Sequence, residues 1–382
     1  MNATGCFQKE IMSDQARELE PASPSVKRYQ KLKLLAGVIG TIATLVWLGV
    51  FAVFFGPALG DWLKEHLADH DWLQLWLVAA VLVVTLELVS FPLEFWSSYT
   101  LEHEYDLSNQ TLGAWFWRRV KGWLVGGVLG WLLLTGLYAV IWSTGDYWWL
   151  WATAGWLLVT VVLGQLLPVV ILPLFYKVTR LDDAPLLERL RGLTTGTGLR
   201  VEGVYRLHLS AETKKANAAL AGLGHTRRVL LGDTLLEQFT PEEIEVVFAH
   251  EVGHHVHRHM VKMIAVQVVL SLVGFWLVDL VLHWAASPPR YTGFSDPAAL
   301  PLVLLVLAIF GLLHSPAHNA LSRFFERQCD RYALDRTHNA TAYRGAFTKL
   351  ARLNKSDPDP HPLVVWLFYD HPAIRERLKM AG

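Results

Sequence analysis

The chain has 382 residues, 53% of them hydrophobic, and a mean hydropathy of +0.30, which is too apolar for a string of ordinary soluble domains. Thirty-four Lys and Arg balance 34 Asp and Glu, so no surplus of positive charge is available for nucleic-acid phosphates. The two cysteines, Cys6 and Cys329, rule out a disulfide framework and a four-cysteine zinc site, and leave any metal to imidazoles and carboxylates.

Residues 1–32 are polar, contain Pro21 and Pro24 and lack the pattern of a cleaved signal peptide, so a flexible tail is expected there. Apolar runs follow near 34–55, 72–97, 122–143, 147–175, 262–284 and 298–314. Each is long enough to cross about 30 Å of hydrocarbon as a helix, which makes about six spans, four of them within 33–176 and two forming a hairpin over 261–314. The fourth run is long and holds Pro168 and Pro173, which predicts a kink or a break. Trp47, Trp76, Trp96, Trp123, Trp148 and Trp149 stand near run ends, where indoles favour the boundary with water. Lys27, Arg28, Lys31 and Lys33 precede the first run and Arg118, Arg119 and Lys121 the third, whereas the alternate loops are poor in positive charge. That asymmetry puts both chain ends and the polar segments 177–260 and 315–382 on the cytoplasmic side.

Segment 177–260 reads as a helix near 182–193, a strand over Val201–Leu209, and a hairpin of Asn217–Ala221 and Arg228–Leu231 around Gly222-Leu223-Gly224. Thr240-Pro241-Glu242-Glu243 then opens a helix, with Thr240 as cap, Pro241 in the first turn and Glu243 closing a capping box. On that helix stands His250-Glu251-Val252-Gly253-His254. Four residues at 100° each put the two imidazoles about 40° apart on one face, where both reach one metal ion. Glu251 lies beside them, placed to hold a water on the metal and take its proton.

Zinc with two imidazoles needs a third protein ligand, and Glu326 is the candidate. The midpoint between His254 and Glu326 is Arg290, which directly follows Ser287-Pro288-Pro289 between the last two apolar runs. A helical hairpin turning there has arms of roughly 54 Å, which return Glu326 to the side of His250 and His254. Asn319, Arg323, Glu326 and Asp330 form a polar stripe on that returning arm, and Asp330 is placed to accept the second ring N–H of a ligating histidine. For Asn319 and Arg323 a solvated helix face explains the pattern equally well. His255, His257 and His259 read as surface or boundary histidines, because a catalytic zinc keeps one position for water. Glu87 and Asp279 lie inside apolar runs, facing enclosed water or paired with a neighbouring helix, and Cys329 reads as a packing residue.

With these motifs the chain resembles the type I CAAX prenyl endopeptidases, integral-membrane zinc metallopeptidases of the gluzincin kind. The resemblance extends to Glu102-His103-Glu104-Tyr105, Asn109-Gln110-Thr111-Leu112-Gly113, Pro173-Leu174-Phe175-Tyr176-Lys177, Asn217-Ala218, and His371-Pro372 with Arg377. It implies a mainly α fold, a multi-span transmembrane helical bundle enclosing a chamber, with a gluzincin-like protease domain that carries a small β-sheet. It implies that Asn217 and Ala218 lie on the edge strand that aligns the substrate peptide. His371, which by position alone could be an ordinary loop residue, is implied as a donor to the oxyanion. Arg377 is read as a bidentate partner for a substrate carboxylate. The expected reaction is peptide-bond hydrolysis with one Zn2+ per chain, on a peptide or lipidated-protein substrate in contact with membrane lipid and with no obligate protein partner. The expected location is the inner membrane of a bacterium or the endoplasmic reticulum of a eukaryote. Two rivals stand: a zinc protease for membrane-protein quality control, and a non-catalytic membrane protein with a structural zinc.

Overall fold

The computed structural model describes residues 22–199, 202–222 and 226–382. Most of the expected tail, with Cys6, therefore lies outside the described residues, as do Val201 and the Leu223-Gly224 part of the hairpin turn. The rest of the tail is a correction: helix α1 begins at Pro24 and runs Pro24–Val50, capped by Ser23, whose Oγ accepts the Val26 N–H at 3.3 Å. Tyr29 anchors this first part of α1, with its ring 5.1 Å from that of Tyr105 and its hydroxyl donating to Glu102 at 2.8 Å.

Among the described residues, five helical stretches are long and apolar enough to cross a membrane: Pro24–His66, Asp71–Glu104, Leu112–Phe175, His259–Ala285 and Pro297–Thr337. The first is α1 followed by a π turn and α2 (Gly56–His66), and the second is α3 (Asp71–Phe95), a π turn and α4 (Leu101–Glu104). The third joins two runs that the sequence separates. Its 64 residues divide at Gly145, whose φ of 54° ends α5 (Leu112–Thr144) before α6 (Trp148–Leu166), and the two helices pack on each other. The expected break in the fourth run is a π turn over Leu167–Ile171, which contains Pro168 and leads into α7 (Leu172–Phe175). Outward faces carry large apolar side chains such as Ile42, Val84, Leu124, Leu158 and Val269, all exposed as lipid requires. The ionisable groups inside the spans are paired: Glu87 accepts from Arg119 at 2.7 Å, and Asp279 accepts from the Trp148 indole at 2.7 Å.

The polar segment adds β1 (Val178–Arg180), α8 (Ala184–Thr194), β2 (Gly203–Leu207), β3 (Ala218–Ala221), β4 (Arg228–Gly232) and α9 (Asp233–Gln238). The sheet order is β1-β2-β4-β3, with β2 and β4 parallel and both outer pairs antiparallel. The β3–β4 hairpin pairs in register Ala218↔Leu231, and β3 is left at the edge. Strand β1 is too short to show a period, and the sequence does not announce it. Helix α10 (Pro241–Val256) starts with the expected capping box, Glu243 N–H to Thr240 Oγ1 at 3.3 Å and Thr240 N–H to Glu243 Oε2 at 2.8 Å. Helices α11 (His259–Ala285) and α12 (Leu300–Thr337) form the long hairpin, and Arg290 lies in the loop between them. The chain ends with α13 (Ala340–Leu353), α14 (Pro362–Phe368) and α15 (Ile374–Lys379).

Among the described residues there are two large apolar cores, and a small third one of Tyr29, Leu101, Tyr105 and Leu107. One lies among the membrane helices, around Leu75, Val78, Tyr138, Trp148 and Val278. The other joins the sheet to α10 and α13 through Val229, Leu231, Val246, Phe248, Ala249 and Tyr343. Helix α12 runs from the first into the second and packs along α10.

Candidate active site

Helix α10 can approach α12 closely because residue 253 is glycine: a Cβ there would meet Cys329 Cα at 3.0 Å and Sγ at 3.3 Å. The approach sets Glu326 against both imidazoles. His250 Nε2 lies 3.1 Å from Glu326 Oε2, and His254 Nε2 lies 3.3 Å from Glu326 Oε1. Ligand atoms about 2.0–2.2 Å from a tetrahedral zinc are roughly 3.3 Å apart, so these three side chains have the spacing of one coordination shell.

The protonation pattern has the same sense. His250 Nδ1 lies 2.9 Å from Asp330 Oδ1, so Nδ1 carries the proton and Nε2 turns a lone pair toward Glu326. Glu326 Oε2 is buried and has no hydrogen-bond partner. A lone pair set against a buried carboxylate oxygen repels unless a cation lies between them. The residues present therefore fit a metal ion. His250, His254 and Cys329 also form a possible donor group, with ligand atoms within 4.8 Å of one another. Glu326 is the better third donor, because the Cys329 thiol is fully buried beneath Gly253 and sits 3.5 Å from His259 Nδ1.

His254 has its own orienting partner, which the sequence reading treats as a boundary histidine. His259 Nε2 lies 2.9 Å from Gln328 Oε1 and so carries that ring's proton, while its Nδ1 lies 3.3 Å from His254 Nδ1. His259 thus accepts from His254 and leaves His254 Nε2 free to ligate. The sequence signal for this role is no more than a further histidine five residues after His254.

Glu251 lines the cleft beside the histidines, and its Oε2 accepts the Leu220 N–H of β3 at 3.1 Å. Asn217 and Ala218 line the same cleft, whose volume is about 360 Å³. His371 reaches it from the opposite wall, with Nε2 3.4 Å from Glu326 Oε2 and Nδ1 2.8 Å from Asp370 Oδ1. The bond to Asp370 raises the His371 pKa above its ordinary 6.5 against the opposing effect of burial. The loop carrying His371 is held by the other half of the polar stripe. Asn319 Nδ2 donates to Leu367 O at 2.8 Å and Arg323 Nη1 to Val365 O at 2.9 Å, so these two buried side chains are anchors and not a solvated face.

Arg377 departs from its expected role. Its Nε and Nη2 donate to the two oxygens of Asp330 at 2.9 and 2.5 Å, its guanidinium lies 3.9 Å from the Phe347 ring centroid, and the residue is 6% exposed. The bidentate partner is Asp330 and not a substrate carboxylate, because Asp330 carries charge at a position with no water to solvate it.

A scaffold of membrane-length helices that sets a carboxylate, Glu251, beside the cluster of His250, His254 and Glu326 is the arrangement of an integral-membrane metallopeptidase. Comparison with known proteins agrees: residues 181–381 match peptidase family M48, and residues 23–177 match the region described as "CAAX prenyl protease N-terminal, five membrane helices". The chain belongs to peptidase family M48. It is 29% identical to the uncharacterised metalloprotease YhfN of Bacillus subtilis, over 98% of this chain and 88% of that one. It is also 29% identical to a CAAX prenyl protease 1 homologue of Arabidopsis thaliana, over 77% of this chain and 70% of that one. The crystal structure of S. mikatae Ste24p has the same fold, with a TM-score of 0.82 at 21% identity, covering 97% of this chain and 93% of that one.

Proposed function

We propose that this chain is a zinc endopeptidase that cuts near the carboxy terminus of membrane-associated proteins, with prenylated CAAX proteins as the substrate class. The relatives named CAAX prenyl protease 1 support the substrate class. The observation that carries the reading is the buried Glu326 carboxylate set against two imidazoles, its Oε2 without a hydrogen-bond partner 3.1 Å from His250 Nε2 and its Oε1 3.3 Å from His254 Nε2. His250, His254 and Glu326 would hold Zn2+, which when bound polarises the scissile carbonyl and acidifies water. Asp330 and His259 keep the two imidazoles in the ligating tautomer. Glu251 takes the proton of the attacking water and returns it to the leaving amine. His371, whose protonated form the Asp370 carboxylate favours, donates from Nε2 to the developing oxyanion. The substrate strand pairs with the exposed edge of β3 at Ala218.

The cytoplasmic side is favoured because the basic ends of α1 and α5 contact the protease unit: Lys33 bonds Glu102 at 2.8 Å, as does Lys215 of that unit, and Arg118 pairs with Glu212. The test is zinc content and cleavage of a farnesylated CAAX peptide by detergent-purified protein. Glu251→Gln should retain zinc and lose at least about 10²-fold in turnover, and Glu326→Ala should lose both. Zinc in the wild type with cleavage only of unprenylated membrane proteins would favour the quality-control reading, and absence of zinc would end both.

A further inference from the structure

Among the described residues, one face of helix α11 is left uncovered. Its flanks are taken: Ile264, Gln267 and Ser271 line a seam with Thr153 and Thr160 of α6, and Gly274 lies against Phe310 of α12. The exposed positions Lys262, Ala265, Val269, Leu272, Trp276 and Leu280 recur every three or four residues and so form one stripe. Apart from Lys262 the stripe is apolar, as a face in contact with lipid tails must be. From Lys262 to Trp284, which is 81% exposed, the helix rises roughly 33 Å, about the thickness of the hydrocarbon layer, so the lysine and the indole mark its two boundaries.

The boundary beside Lys262 is the elbow that joins α10 to α11. Arg258 stands there directly before α11, in the left-handed region at φ 55°. Among the described residues its exposed side chain makes no hydrogen bond or ion pair, and the Lys262 ammonium meets only the Phe325 ring, 5.4 Å from the centroid. A third cation is close by. Arg227 Nη1 donates to His255 Nδ1 at 2.8 Å, its Nε is buried without a partner, and the charge of Arg258 is felt at the same imidazole. Residues 213–232 and 252–278 contain no Asp or Glu, and Glu202, which reaches the hairpin, is engaged by Arg228. Like charges gathered at a membrane boundary without a carboxylate call for an anion. We infer that the α10–α11 elbow is a binding site for an anionic phospholipid, with its phosphate between Arg258 and Lys262 and its acyl chains along the apolar stripe. A guanidinium and an ammonium one helical turn apart suit phosphate oxygens. A zwitterionic lipid brings its own cation into a cluster already short of negative charge, so the net charge of the headgroup decides the preference. Contact of the chains with Val269 and Leu272 is what a lipid gains over free phosphate.

Lipid binding here requires only the membrane fold, so it is tested without cleavage. Detergent-purified protein is titrated with dioleoyl phosphatidylglycerol or dioleoyl phosphatidylcholine, and lipid-bound chains are counted by native mass spectrometry. The variants are Arg258→Gln with Lys262→Gln, Lys262→Glu alone, and a control, Arg344→Gln with Arg352→Gln, which removes two exposed charges from α13. Wild type should prefer phosphatidylglycerol for its first bound lipid by at least about 10-fold, as two boundary cations imply. The double elbow variant should cut that preference to below about 3-fold and Lys262→Glu should abolish it, while the control keeps it. If Arg258→Gln disturbs the left-handed elbow, seen as a lower Tm, Lys262→Glu decides alone. Excess inorganic phosphate should leave the lipid bound, and displacement by it would mark a soluble-anion site and overturn the assignment to lipid. A wild type without preference, or a preference unchanged in both elbow variants, would overturn the site. So would an equal fall in the control, which would reduce the effect to overall charge.

Discussion

His371 carries a charge balance that can be read in a pH profile. Its largest perturbation is the bond to Asp370, which raises the pKa, and burial is the opposing effect. The sign follows: a donor with a raised pKa is active below that pKa and is lost as pH rises through it. Asp370→Asn removes the raising partner, so the alkaline fall in kcat should move to lower pH with zinc content unchanged. An unmoved alkaline limb would take His371 out of the proton inventory. His259 is tested through the metal and not through turnover. His259→Phe keeps a ring stacked on Phe325, now 4.2 Å from the imidazole centroid, but offers no acceptor to His254. Zinc affinity should fall about 10–100-fold, measured by competition with a chelator, and His259→Gln, which retains an acceptor, should fall less.

Helices α10 and α12 form the element pair on which the site depends, and Gly253 sets their separation. In Gly253→Ala the new Cβ would sit 3.0–3.3 Å from Cys329, tighter than packed side chains tolerate, so the helices must part by a few tenths of an ångström. The expected cost is about 1–3 kcal/mol of stability, seen as a lower Tm in detergent, with a larger proportional loss of zinc because His250, His254 and Glu326 straddle that contact. The sequence makes this pair legible: the four-residue spacing of His250 and His254 and the hairpin centred on Arg290 both depend on local periodicity. It does not reveal the partners of Asn319, Arg323 and Arg377. A polar stripe on a helix looks the same whether it faces water or the carbonyls of Val365 and Leu367, and only tertiary packing distinguishes them. Strand order is hidden for the same reason, since β2 and β4 pair in parallel across an intervening hairpin strand.

The two large cores must keep register for the edge strand to stay beside α10, and the membrane half supplies part of that register. The stretch Asp106–Asn109 zips onto the loop before β3: Asn109 N–H donates to Glu212 O at 2.9 Å, Asn109 Nδ2 to Ser210 O at 2.8 Å, and Lys214 N–H to Leu107 O at 3.0 Å. This gives a physical reason for the family-like Glu102–Gly113 motif, which lies far in sequence from His250, His254 and Glu326. At its start Glu102, 8% exposed, accepts from Tyr29 and bonds both Lys33 and Lys215 at 2.8 Å, joining α1, the α3–α4 stretch and the protease unit at one carboxylate. Glu102→Gln keeps the shape but leaves two ammonium groups facing a neutral amide. Removing one member of a buried ion cluster costs about 3–5 kcal/mol, and because both lysines are about one-third exposed the cost here should be nearer 1–3 kcal/mol. The loss should not spread evenly. Amide exchange should accelerate through residues 208–216 and KM for peptide should rise, while α10 stays protected and zinc remains stoichiometric, because no zinc ligand touches Glu102. Equal acceleration throughout the protease unit would mean that the membrane helices support the whole unit, and loss of zinc would mean that they position the metal helix as well as the strand.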